Sequence, residues 1–175
     1  LNKLTDLDLG LGGIIDDRLL GLPFTFPLTS LAIYDDENSV VQDFASFNTF
    51  FTTVSSTVTK LTWLSISNAP IPASIFFPSL PHLIDLVLII SQDAVVLRTF
   101  ADSPLQTLEI RSSPAIDSKA WCNFIESKRA TLRRVEISSN ATAEFPTGSR
   151  GLSLAEVREI ETKCGSLGIE YVASE

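Results

Sequence analysis

The chain has no methionine, one histidine and two cysteines among its 175 residues. With His82 alone, neither a Ser-His-Asp nor a Cys-His arrangement has a spacing to argue from. His82 follows Pro81 at the start of a strand-like segment and reads as structural. Cys122 and Cys164 are too few for a disulfide framework. Both sit among apolar neighbours in helix-like segments and read as buried reduced thiols, as in an intracellular protein. A disulfide or a reactive thiol is the alternative. Long apolar runs are also missing: Leu86 to Ile90 is the longest, at five residues, where a membrane span needs about 20. The start carries no secretory signal, and no basic amphipathic helix points to a membrane surface. Positive charge is scarce. The net charge of −8 repels phosphate backbones and argues against nucleic acid. These absences imply a cytoplasmic or nuclear protein.

What remains is a core-forming chain. Hydrophobic residues make up 45% and charged ones 19%. A chain of this size can bury roughly 70% of its unfolded surface, so residues 1–175 read as one domain. Beginning at Leu1 without any methionine, it reads as a processed product or a C-terminal fragment of a longer chain.

An internal repeat organises it. The template apolar-x-x-apolar-x-apolar fits Leu4-Leu7-Leu9, Leu28-Leu31-Ile33, Leu61-Leu64-Ile66, Leu83-Leu86-Leu88, Leu105-Leu108-Ile110 and Leu132-Val135-Ile137, with a weaker seventh copy at Cys164-Leu167-Ile169. The last two apolar positions alternate with polar ones, the pattern of a strand with one buried face. No Asn-Gly turn follows these strands, so they are not hairpins.

Several of the connecting stretches read as helices. Residues 36–58 carry Val40, Phe44, Phe47, Phe51, Val54 and Val58 at helical spacing. Residues 117–130 place Trp121, Phe124 and Ile125 inward behind an Asp117 N-cap. Residues 153–163 open with a Ser153–Glu156 capping box, turn Leu154, Val157, Ile160 and Cys164 to one side, and stop at Gly165. Residues 92–101 predict a short helix with Val96, Leu97 and Phe100 inward. Pro70, Pro72, Pro78 and Pro81 make the return at 69–81 irregular or a single 3₁₀ turn. Parallel strands joined by such returns predict a right-handed α/β solenoid of six to seven units. An ordinary α/β sheet whose strands share a Leu spacing is the alternative.

The copies "LTDLDLG", "LTSLAIY", "LTWLSIS", "LIDLVLI", "LQTLEIR" and "LRRVEIS" resemble leucine-rich repeats. Their variable period and helical returns are similar to the ribonuclease-inhibitor-like class. "LTSLAIYDDENSVVQDFASF" resembles the irregular repeats of fungal F-box proteins. The resemblance spans nearly the whole chain and implies protein binding, in its most specific form the substrate-recognition region of a ubiquitin-ligase adaptor. A structural repeat protein with no ligase role is the alternative, and a hydrolase using surface carboxylates a distant third. One family feature is almost absent. The Asn that hydrogen-bonds the turn after each strand is replaced by Gly12, Asp36, Ala69, Ser91, Ser113 and Val172. Only Asn140 keeps it, and Asn140 also opens an Asn-Ala-Thr sequon.

Such a solenoid turns the polar positions of its strands to solvent. Tyr34, Trp63, Val87 and Ile89 fall in that phase and form a candidate patch, since aromatic and apolar groups ringed by polar ones make binding hot spots. Cover by neighbouring side chains or a terminal segment is the alternative. Beside them Glu109, Arg111, Arg133, Arg134 and Glu136 form a charged group, either self-paired or a docking surface. The implied partner is another protein. The N-terminal edge is expected to be covered by upstream sequence or a second chain. No catalytic residue, metal site or cofactor is expected. The carboxylates of Asp16-Asp17 and Asp35-Asp36-Glu37 sit in turn-like stretches, and the glycines of Gly10 to Gly13 lack the rest of either nucleotide motif.

Overall fold

In the computed structural model the described residues are 4–10, 27–35, 44–65, 79–90, 94–112, 116–138 and 151–174. Seven strands are present: β1 (Asp6–Gly10), β2 (Ser30–Asp35), β3 (Lys60–Ser65), β4 (Asp85–Ile90), β5 (Thr107–Ser112), β6 (Arg134–Ser138) and β7 (Glu170–Ser174). All pair in parallel, in the order β1-β2-β3-β4-β5-β6-β7. The described returns hold helix α1 (Phe44–Val54), a 3₁₀ segment (Ala94–Phe100), helix α2 (Ser118–Ser127) and helix α3 (Leu154–Leu167).

One hydrophobic cluster joins the helices to a single face of the sheet. Each central strand gives it two alternate residues: Leu31 and Ile33, Leu61 and Trp63, Leu86 and Leu88, Leu108 and Ile110, Val135 and Ile137. The helices supply Phe51, Val54, Phe100, Trp121, Ile125 and Ile160, each at most 1% exposed. Phe50 and Phe51 meet edge to face at 5.6 Å, and Trp121 meets Phe124 at 6.3 Å. A doubly wound sheet would reverse its strand order and carry helices on both faces. The unbroken order excludes that arrangement, and with the one-sided core of the described residues it is compatible with a solenoid.

The register is pinned where each strand begins. The carbonyl of Thr5 accepts the amides of Thr29 and Ser30, at 2.8 and 2.9 Å. Thr29, Thr59, Ile84 and Gln106 repeat this, each taking two N–H groups from the next unit. A carbonyl has two lone pairs, so both amides are accommodated; the Thr29 and Thr59 hydroxyls also donate to the Thr5 and Thr29 carbonyls, each at 3.2 Å. The positions expected for a turn asparagine, Gly12, Asp36, Ala69, Ser91, Ser113 and Asn140, lie outside the described residues, as does the sequon. Also outside them are Asp16, Asp17, Glu37, Val40, Ile66 and the prolines Pro70, Pro72 and Pro78.

The expected returns are found with corrected details. Asp117 caps α2, its Oδ1 accepting from the Ala120 amide at 2.7 Å. The capping box of α3 is present in both halves: the Ser153 amide donates to Glu156 Oε2 at 2.7 Å, and the Glu156 amide to Ser153 Oγ at 3.3 Å. Leu154, expected inward, is 73% exposed, while Leu152 just before the cap is buried. Leu152 and Val157 hold the two positions of a hydrophobic staple, which leaves the first helical residue pointing outward. Helix α3 runs through Gly165 and ends at Gly168, whose φ of 70° takes the left-handed C-cap conformation. The residues from Ala94 to Phe100 form a 3₁₀ segment rather than an α-helix.

Two copies of the repeat sit elsewhere than the template placed them. Leu31 pairs with Leu61 and Ile33 with Trp63. The third unit is therefore Val58-Leu61-Trp63, three residues earlier than expected, and Val58 belongs to the strand approach rather than to α1. The seventh strand is Glu170–Ser174, with Tyr171 opposite Val135. Cys164 and Leu167 belong to α3 instead, and Val172 is a strand residue rather than a turn position.

Helices α2 and α3 are tied side by side. Ser118 donates to Glu159 at 2.6 Å, and Lys163 pairs with Glu126 at 2.7 Å. Among the described residues no helix is long and apolar enough to cross a membrane.

Candidate functional site

The face of the sheet opposite the helices is laid out by strand alternation and by the parallel register. One row across it reads Ser30, Lys60, Asp85, Thr107, Arg134, Glu170. The next reads Ala32, Thr62, Val87, Glu109, Glu136, Val172. A third places Tyr34 beside Leu64, and Leu64 beside Ile89.

Trp63 does not belong to this face. Its register partners are Ile33 and Leu88, and it is 3% exposed in the core. Val58-x-x-Leu61-x-Trp63 fits the apolar template as well as Leu61-x-x-Leu64-x-Ile66 does, and the sequence offers both frames. The true member of the patch is Leu64, which the template had assigned to the core. The pairing of Leu31 with Leu61 decides between the two frames.

Tyr34, Val87 and Ile89 do lie on the open face. Tyr34 is 41% exposed, Ile89 and Leu64 are half-buried, and Ala32 and Val87 are nearly covered although neither belongs to the helix-side cluster. The result is an apolar floor of Ala32 and Val87 edged by Tyr34, Leu64 and Ile89 on three adjacent strands. Val87 and Ile89 come from β4, whose other face gives Leu86 and Leu88 to the core.

The charged group lies on the next two strands. Arg111 Nε bonds Glu109 Oε1 at 2.5 Å, and Arg134 bonds Glu136 Oε2 at 2.8 Å. Both are pairs within one strand, two residues apart, rather than pairs between strands. The two carboxylates face each other across the register, a like-charge juxtaposition that is unfavourable unless neutralised. The arginines neutralise it. The hydrogen bonds from Arg134 and Ser174, with the charge of Arg111 nearby, hold Glu136 below the usual carboxylate range. The Glu109 bond raises the Arg111 pKa, against the lowering effect of burial, with Glu136 and the Tyr34 hydroxyl both close enough to add to the rise. Arg133, by contrast, turns back to the carbonyls of Leu132 and Ala130.

A break in the ladder helps to join patch and charges. Leu88 pairs with Ile110, but Ile89 pairs with Ser112, so Arg111 has no opposite number on β4. Bulges of this kind re-aim a side chain. Tyr34 and Arg111 stand on strands three apart, yet they are within electrostatic reach of each other. The apolar patch and the charged group are therefore neighbours on one surface.

Elsewhere packing governs the two thiols and one lysine. Cys164 is buried and Cys122 half-buried, and both are free. Burial pushes the Cys164 thiol up to about 11 and raises that of Cys122, so neither is a ready thiolate nucleophile at neutral pH. His82 is exposed. Lys128 is 5% exposed; its ammonium donates to the carbonyls of Ala101 and Ser103 and stands over the Phe124 ring at 5.8 Å. Among the described residues no group of three His, Cys, Asp or Glu is placed to hold a metal ion.

Comparison of the chain with protein-family models, curated proteins and solved structures finds no match in any of the three.

Proposed function

We propose that this is a protein-recognition domain of leucine-rich-repeat type, whose open sheet face is the docking surface. One observation carries the reading. Five apolar side chains occupy solvent-phase positions on β2, β3 and β4, and they adjoin a charged group on β5 and β6. An apolar centre with a polar rim is the anatomy of a recognition surface. The repeating strand unit and the one-sided core support the repeat type.

The more specific form of the proposal is the substrate-recognition region of an F-box-like ubiquitin-ligase receptor, and the sequence resemblance supports it. The second reading is a scaffolding repeat protein that uses the same face without a ligase.

The test is affinity purification of the full-length protein beside a Tyr34→Asp/Ile89→Asp variant. Partners should be lost from that variant and retained by Leu154→Asp, which alters an exposed residue on α3. Ligase subunits among the retained proteins favour the receptor form. Partners lost from the face variant without any ligase subunit favour the scaffold. An identical partner set for all three proteins removes the open face from consideration.

A further inference from the structure

Resting on the docking reading, we infer that the open face takes a protein segment carrying an apolar anchor and, about 12 Å from it, a lysine or arginine. The distance follows from strands spaced about 4.8 Å apart: the apolar patch centres on β3, and the facing carboxylates Glu109 and Glu136 straddle β5 and β6. An extended segment rises about 3.3 Å per residue with alternating sides, so anchor and base are four residues apart when it crosses the strands.

The sign comes from the face itself. Among the described strand residues six carboxylates stand on it, Asp6, Asp8, Asp85, Glu109, Glu136 and Glu170, against the three bases Lys60, Arg111 and Arg134. The surplus is negative, and the chain as a whole carries −8. Glu109 and Glu136 face each other directly, each held by one arginine. A carboxylate has acceptor sites for more than one donor. The arginines offset the repulsion between those two carboxylates, but Asp85 and Glu170 in the adjoining register row leave the surroundings negative, which favours a cation over an acidic group. Burying the anchor against Tyr34, Leu64 and Ile89 also dries the neighbouring charges, which strengthens their attraction for a base.

The probe is a phage-displayed library of random twelve-residue peptides, selected in parallel on the wild-type protein and on folded variants. Wild type is expected to enrich an aromatic or aliphatic residue with Lys or Arg four positions away, at least tenfold over a Tyr34→Asp/Ile89→Asp variant. Selection on Glu109→Gln/Glu136→Gln should keep the apolar position and lose the basic one. Arg111→Gln/Arg134→Gln removes the arginine partner of each carboxylate and should sharpen the basic preference. Acidic or neutral residues at the charged position, with the apolar position retained, overturn the inference while the docking reading stands. Equal enrichment on wild type and on Tyr34→Asp/Ile89→Asp overturns the docking reading itself. Circular dichroism melts of each variant establish that it is folded before selection.

Discussion

Trp63 lies beside Leu88 in the register of β3 and β4, on the helix side of the sheet. Its indole is packed in the core, while the adjacent Leu64 faces out beside Tyr34. Trp63→Ala is therefore expected to destabilise the fold by about 3–5 kcal/mol, the cost of a large core cavity. Leu64→Ser, at a half-buried position on the open face, should cost much less, about 1 kcal/mol. Urea denaturation of the two variants checks the order. Equal losses would put Trp63 back on the exposed face.

Lys128 provides a second test. Its ammonium satisfies two carbonyls that follow the 3₁₀ segment, 25 or more residues earlier in the chain. Lys128→Met keeps most of the apolar stem but leaves those acceptors unpaired, at a cost of about 1–3 kcal/mol. A melting temperature equal to that of wild type would show that another donor takes over.

The two glycines near the end of α3 predict effects of opposite sign. Gly165 is helical, and a Cβ there would meet nothing within 4 Å. Gly165→Ala should stabilise by about 0.5–1 kcal/mol through helix propensity. Gly168 has equal space but a φ of 70°, so Gly168→Ala should cost about 1–2 kcal/mol for the left-handed backbone. Thermal melts of the pair read the difference directly.

The stability profile at alkaline pH should carry the mark of Cys164. Its thiol rises from 9.0 to about 11 on burial. The unfolded chain thus loses this proton first, and folding holds it. The contribution is complete below pH 9 and is lost as pH climbs through about 11, on the order of 2 kcal/mol in all. Lys128 works the other way. Burial lowers its pKa below 10.5, so the unfolded chain binds that proton more tightly and this contribution grows as pH rises toward 10.5. Denaturant midpoints between pH 8 and 11 should fall less steeply in Cys164→Val than in wild type, and more steeply in Lys128→Met.

Much of the fold was legible because it is written at short range. Alternation in Leu28-Leu31-Ile33 or Leu105-Leu108-Ile110 specifies a half-buried strand, and the Ser153–Glu156 box specifies where α3 begins. The candidate face was legible only in part. Tyr34, Val87, Ile89, Glu109, Arg111, Arg134 and Glu136 were found by counting alternate residues from the strand leucines. Trp63 was misplaced and Leu64 missed, because in "VTKLTWL" both Leu61 and Leu64 satisfy the template. A strand's two faces have a period of two, so the wrong anchor exchanged the inside for the outside.

The sequence alone determined that strands and helices would alternate, that the strands would bury one face, and where two helices would be capped. These follow from local periodicity and from side chains bonding their own backbone. The tertiary structure decided which of two overlapping frames β3 adopts, that the end of α3 displaces the seventh strand to Glu170–Ser174, and that a ladder shift at Ile89 leaves Arg111 unpaired on β4. Those choices depend on pairing with residues 22 to 36 positions away in the chain, and no local pattern contains the energy of that pairing.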